Sequence, residues 1–333
     1  MYNLRQSFID INKTNRQRRG RNGSQMTEYL PEGRRIATKL NKYYLSCLRN
    51  VETAKNESII LEAPCIMCDT EHNLIVDLAG MKGVIPRTEG AIGIEDGTTR
   101  DIALISRVSK PVCFHVTDID KSGSQPVAIL SRKKAQLAAM DNYISRLGRG
   151  DIIPAKVTHM EQFGCFVDIG CGVPSMIPID SISVSRITHP SDRFYIGQDI
   201  FAVVKGREDG RICLTHKELL GTWEENAAAF SVGQTVSGIV RSIEEYGIFV
   251  ELSPNLAGLA ELKDGVQVGD LACVYIKAII PEKMKVKLII VNSCADNLTQ
   301  RCFDYFLSEG RIDSWTYSTK NAPKYIASDF TAE

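Results

Sequence analysis

The chain has 333 residues, 44% of them hydrophobic, with 40 basic and 40 acidic side chains and a formal net charge of zero. That length and apolar content can bury cores in two or three domains. Balanced charge excludes a global field that draws in a polyanion, so nucleic-acid affinity has to come from local patches and stacking.

In chain order, residues 1–29 open with Arg5, Lys13, Arg16, Arg18, Arg19 and Arg21 against Asp10, interleaved with Gly20, Asn22, Gly23 and Ser24. Such a segment reads as a disordered basic arm. It lacks the apolar core of a signal peptide, and no later run approaches the length of a membrane span. Residues 30–57 carry Ile36, Leu40, Tyr43, Cys47 and Leu48 at helical spacing, which predicts a helical lead-in. Residues 58–132 form a degenerate β unit: Leu74-Ile75-Val76-Asp77-Leu78, Gly83-Val84-Ile85-Pro86, Val116–Asp120 and Ala128–Arg132 are its strands. Residues 133–149 place Leu137, Met140, Ile144 and Leu147 on one helical face, predicting a helical linker.

Residues 150–217 contain Phe163-Gly164-Cys165-Phe166-Val167-Asp168-Ile169, and residues 233–292 contain Tyr246-Gly247-Ile248-Phe249-Val250-Glu251-Leu252. As alternating strands, Cys165, Val167 and Ile169 point into a core, as do Ile248, Val250 and Leu252. The opposite face, expected to be solvated, carries Phe166 with Asp168 and Phe249 with Glu251. Phe163 and Tyr246 stand beside those rings. A duplicated pair of exposed aromatics on a small sheet is a stacking platform, and single-stranded nucleic acid is the usual ligand. Gly197-Gln198 and Gly269-Asp270 open further strands, and Arg211–Thr215 and Lys285–Ile289 close the units. Five short strands per unit predict a mainly β protein of three tandem OB-fold barrels, five-stranded Greek keys joined by short α-helices. In the first unit His72 and Ile75 take the aromatic positions, so the platform is lost. Residues 218–232, with Leu219, Leu220, Trp223, Ala227 and Phe230, form the second helical linker, and residues 293–333 an irregular tail.

Of ten cysteines, Cys165 and Cys213 fall at inward strand positions, as reduced thiols of a cytoplasmic protein do. Cys65-Ile66-Met67-Cys68 with His72 is half a zinc site without its second half, so neither metal nor cofactor is expected. No phosphate loop, nucleophile elbow or His-Glu-x-x-His is present, and Gly170–Ser175 joins two strands as a turn. The chain therefore reads as non-catalytic.

The strand motif, the Gly-Gln turn, the closing Gly210-Arg211-Ile212-Cys213-Leu214-Thr215 and the spacer Leu219-Leu220-Gly221-Thr222-Trp223-Glu224-Glu225 resemble the tandem RNA-binding domains of ribosomal protein S-one. The resemblance implies RNA contacts from two aromatics, a histidine, an aspartate and a terminal basic residue per domain. Carried over, these are Phe163, Phe166 and Arg211 in the second unit and Tyr246, Phe249 and Lys285 in the third. The histidine position holds Pro86, Pro178 or Glu261. The aspartate position falls on Arg207 and Pro281 and survives as Asp120. Arg207 then adds a phosphate contact, with Lys205 and Lys277 at equivalent strand positions. The implied partners are single-stranded RNA, mRNA above all, and proteins of the small ribosomal subunit reached through the first barrel; no membrane is involved. Two other readings remain: a ribosome-independent regulator of RNA stability or expression, and a scaffold whose barrels bind peptides.

Overall fold

The computed structural model describes residues 28–208, 210–295 and 303–331. The basic segment before Glu28 lies outside them. Three closed five-stranded barrels are present. The first is built from β1 (Leu61–Cys68), β2 (Leu74–Asp77), β3 (Lys82–Ile85), β4 (Pro111–Asp120) and β5 (Val127–Ser131). The second comprises β6 (Ile152–Glu161), β7 (Gly164–Asp168), β8 (Pro174–Pro178), β9 (Asp199–Glu208) and β10 (Arg211–Thr215). The third comprises β11 (Thr235–Glu244), β12 (Gly247–Ser253), β13 (Leu256–Ala260), β14 (Leu271–Ile280) and β15 (Lys285–Cys294).

In each, the strands run first-second-third-fifth-fourth around the barrel, and the third and fifth pair in parallel. Closure pairs every strand on both sides, leaving no free edge. Two bulges recur. One displaces Ile66, Thr158 and Arg241 in the first strands, and the other displaces Thr117, Lys205 and Lys277 in the fourth. An extra residue bends a strand and sharpens its twist, which a small barrel needs in order to close.

The chain divides into two compact units. One holds residues to Arg146 with Gly170–Val173, the other Leu147–Ile169 with Pro174 onward. In the first unit, Leu74, Val76, Ile85, Phe114 and Leu130 fill the barrel, and Val51 and Ala54 of a short helix close it. The lead-in is two helices, α1 (Lys39–Leu45) and α2 (Leu48–Asn56), and the predicted apolar face is not the buried one: Leu40 and Tyr43 are each 59% exposed. The same holds for α3 (Arg132–Asn142), where Leu137 and Met140 face outward. Arg132, Ala135, Gln136 and Ala139 are buried instead, Arg132 because its guanidinium meets the buried Glu32 carboxylate at 2.7 Å. A buried ion pair selected that face, and apolar spacing could not announce it.

The second unit joins the second and third barrels in one core. Ile152, Val203, Leu219 and Trp223 pack in the cluster that contains Val240, Val250 and Leu288. The linker between these barrels is a 3₁₀ turn, Lys217–Leu220, followed by α4 (Trp223–Ala227), which Thr222 and Glu225 cap reciprocally. From Phe303 the described part of the tail adds a two-strand ladder, β16 (Ser314–Thr316) with β17 (Ala327–Asp329). Its Ile312, Trp315, Tyr317 and Phe330 are buried in that shared core. Hydrogen bonds pin it to both barrels: Ile312 N–H donates to the Gly150 carbonyl, and the Tyr317 hydroxyl donates to the Asn255 carbonyl at 2.5 Å.

Two further expectations fail in this unit. Asp168 and Glu251, read as solvated, are 3% and 5% exposed. Glu251 accepts from Arg193 at 2.5 Å and from Arg241 at 2.8 Å, so a loop of the second barrel is ion-paired to a strand of the third. Burial pulls the Arg193 guanidinium below its usual range, and the Glu251 carboxylate opposes that pull. Cys213, read as inward, is half-exposed on the outer surface. Cys165 is inward, and burial pushes its thiol up to about 12, so it is an inert core group.

Candidate nucleic-acid interface

The β6–β7 hairpin turns at Gln162 and Phe163, which pairs Glu161 with Gly164, Met160 with Cys165 and His159 with Phe166. Cys165 and Val167 are fully buried, so Phe166 between them stands on the outer surface, half-exposed. Phe163 at the turn is 57% exposed and meets Phe166 edge-to-face, centroids 6.1 Å apart at 89°. The β11–β12 hairpin repeats this at Glu245 and Tyr246: Tyr246, 69% exposed, meets Phe249 at 6.0 Å and 88°. The glycine between the rings is required by close approach. A Cβ on Gly164 would lie 2.5 Å from the Ile177 carbonyl, and one on Gly247 2.5 Å from that of Ala260. Its absence lets the third strand close against the hairpin and fixes the second ring beside the first.

Register then places each ring in a strip that crosses all five strands. In the second barrel the strip is His159, Phe166, Met176, Cys213 and Gly206. In the third it is Ser242, Phe249, Leu259, Lys287 and Ala278. In the first it is Met67, Ile75, Val84, Ile129 and Asp118. The first strip holds no ring, Ile75 is buried, and Asp118 is ion-paired to Lys55 at 2.7 Å.

The predicted cations flank the strips. Lys205 and Lys277 are the bulged residues of β9 and β14, both exposed. Arg211 and Lys285 lie exposed at the starts of β10 and β15, two residues from Cys213 and Lys287 and on the same face. Arg207 is exposed and donates to the Leu147 carbonyl at 3.4 Å. The ladder corrects one alignment. Asp120, Glu208 and Ile280 pair with Val127, Arg211 and Lys285, so the position of Asp120 is filled by Glu208 in the second barrel, not Arg207, and by Ile280 in the third, not Pro281.

Among the strip residues that the sequence reading did not assign are His159, Met176, Leu259 and Lys287. His159 lies nearly parallel to Phe166, 6.1 Å between centroids and 25° between planes, with Nε2 2.7 Å from Glu161 Oε1. It was within reach, because a two-residue hairpin loop places His159 opposite Phe166. Leu259 follows a two-residue turn too, but a bulge between Glu251 and Ser253 shifts its register by one, and Met176 and Lys287 come from strands that no such turn joins to their neighbours in the strip. Cys65 is buried, and among the described residues no group of three His, Cys, Asp or Glu side chains could hold a metal.

Residues 146–217 match the S1 RNA binding domain family. Over 196 residues the chain is 31% identical to the small ribosomal subunit protein bS1 of Leuconostoc lactis, covering 57% of this chain and 44% of that protein. It is 29% identical over 238 residues to bS1 of Staphylococcus aureus, covering 66% of this chain and 58% of that one. The chain thus spans about half the length of these curated relatives. A multidomain protein with nucleic acid binding domains from Streptococcus pneumoniae overlaps 71% of the chain and 74% of its own at 14% identity and a TM-score of 0.24.

Proposed function

We propose that this chain, whose residues 146–217 match the S1 RNA binding domain family, binds single-stranded RNA on the aromatic strips of the second and third barrels, without catalysis. One observation carries this reading: the same exposed edge-to-face pair, at 6.1 and 6.0 Å, stands at the same hairpin of two barrels. Such rings offer faces to unstacked bases whatever their sequence, and Lys205, Arg211, Lys277 and Lys285 beside them suit phosphates. A duplex hides its bases, so it should compete poorly for rings that work by stacking. Fluorescence anisotropy of the full chain should give tighter binding to an unstructured oligonucleotide than to a duplex of equal length, with affinity falling as salt rises. Equal affinity for both, or indifference to salt, overturns it.

The finer reading is that the RNA is mRNA, held at the small ribosomal subunit in the cytoplasm. Its support is the relationship to bS1 and the first barrel, whose strip of Met67, Ile75, Val84 and Ile129 with Asp118 suits protein better than polyanion. Among the described residues no helix is long and apolar enough to cross a membrane. Co-sedimentation of the chain with purified small subunits tests this, and loss of that association when Met67 is replaced by Asp assigns it to the first barrel. A chain that binds RNA yet stays free of subunits is instead a ribosome-independent regulator. A chain that ignores RNA and retains peptides is a scaffold.

A further inference from the structure

At one position the third aromatic strip carries a lysine where the second carries an uncharged side chain. Where the second barrel has Cys213, the third has Lys287, exposed, in parallel register with Leu259, which faces Phe249 across the β12–β13 ladder. Lys287 therefore starts two strands, roughly 10 Å, from the backbone of Phe249. A four-carbon stem lets its ammonium swing back over Leu259 toward the ring. No carboxylate among the described residues pairs with it, and its neighbours on that face are Lys285, two residues along the strand, and Lys277 at the adjacent bulge. The other end of the strip differs as well: His159 and its carboxylate partner Glu161 in the second barrel, Ser242 in the third.

We propose that Lys287 is a phosphate-contacting residue of the third strip that the second strip lacks, so that the third barrel makes one more phosphate contact with an RNA strand than the second. The inference rests on the strips being the single-stranded RNA site. A nucleotide whose base lies on Phe249 brings its phosphate within the sweep of the Lys287 ammonium. The corresponding phosphate on the second barrel meets a thiol, which offers no charge.

Phosphate contacts release counterions, and each contributes about 0.7 to the slope of log affinity against log salt on a single strand. The experiment measures that slope for the full chain with an unstructured oligouridine long enough to cover both barrels. K287A should lower the slope by about 0.7, so that its deficit against wild type shrinks about 2.6-fold between 50 and 200 mM salt. K287R should keep the wild-type slope, and C213K, with an unchanged melting midpoint, should raise it by about 0.7. Weaker binding by K287A at an unchanged slope, or no change at all, overturns the assignment. So does a slope for C213K equal to wild type. Wild-type chain that fails to bind the oligonucleotide refutes the RNA site itself, which separates that failure from a failure of Lys287 alone.

Discussion

Phe166→Ala separates stacking from packing at one residue. Phe166 is half-exposed, bounded by Phe163 edge-on and by His159 nearly parallel, both more exposed than itself. Its truncation removes two ring contacts and opens no enclosed cavity. Ring pairs are worth about 0.5–1.5 kcal/mol each beyond area burial, and solvent at this site places the total near the lower end, about 1 kcal/mol. Val167, the next residue, is fully buried, and Val167→Ala deletes two carbons from a closed core. At about 0.8 kcal/mol per methylene plus the cavity left behind, that costs about 2–3 kcal/mol. RNA affinity should respond in the opposite order. Loss of one stacked base costs about 1–3 kcal/mol, or about 5- to 150-fold in Kd, for Phe166→Ala. Val167→Ala should leave Kd near wild type wherever the protein is folded. Urea unfolding of the second unit and anisotropy with a single-stranded oligonucleotide read the two quantities on the same samples. The reasoning fails if Phe166→Ala unfolds as readily as Val167→Ala, or if it binds RNA as tightly as wild type.

The second and third barrels share one core, so affinity of the full chain should jump at a threshold oligonucleotide length, each barrel covering roughly 4–16 nucleotides. Tyr246→Ala with Phe249→Ala should remove that threshold, and a threshold that survives would mean the third strip is idle. Glu251→Gln leaves Arg193 and Arg241 without their shared carboxylate and should destabilise the second unit by about 3–5 kcal/mol, read as a lower urea midpoint. His216 is fully buried among Phe194, Phe303 and Tyr305; its Nδ1 lies 3.0 Å from the Ile182 carbonyl, which can only accept, and its Nε2 lies 3.1 Å from the Tyr305 hydroxyl. Burial lowers its pKa to about 4 against 6.5 when free. As pH falls below 6.5 the unfolded chain takes up this proton and the folded chain does not, until about 4. Stability should therefore be complete above that window and fall by roughly 3 kcal/mol across it. His216→Phe should flatten the stability–pH curve there, and an unchanged curve would exclude His216 as its cause.

Local pattern by itself determined much of this protein. Alternation put Val167 and Val250 inside and Phe166 and Phe249 outside, because a side-chain period of two leaves no other choice once a core face exists. The repeat of ring, glycine and ring announced two matching hairpins, and the glycine is needed for a contact that is itself part of the hairpin's packing. Asp168 and Glu251 break the pattern. Both lie on the predicted solvent face, yet tertiary neighbours bury them, and Arg193 comes from a loop far away in sequence to neutralise Glu251. Arg132 overrides helical periodicity for the same reason, since a buried charge goes where its partner is. The tail carried no period at all. Ile312, Trp315, Tyr317 and Phe330 become core because two barrels meet beneath them, and single aromatics spaced irregularly signal nothing until that surface exists. The strip was half legible. A two-residue turn dictates His159 beside Phe166, whereas Met176 depends on the register of the β7–β8 ladder and Lys287 joins the strip through the parallel β13–β15 pairing. Parallel pairing of the third and fifth strands is long-range, and nothing in the run of residues around Lys287 states which strand will lie next to it.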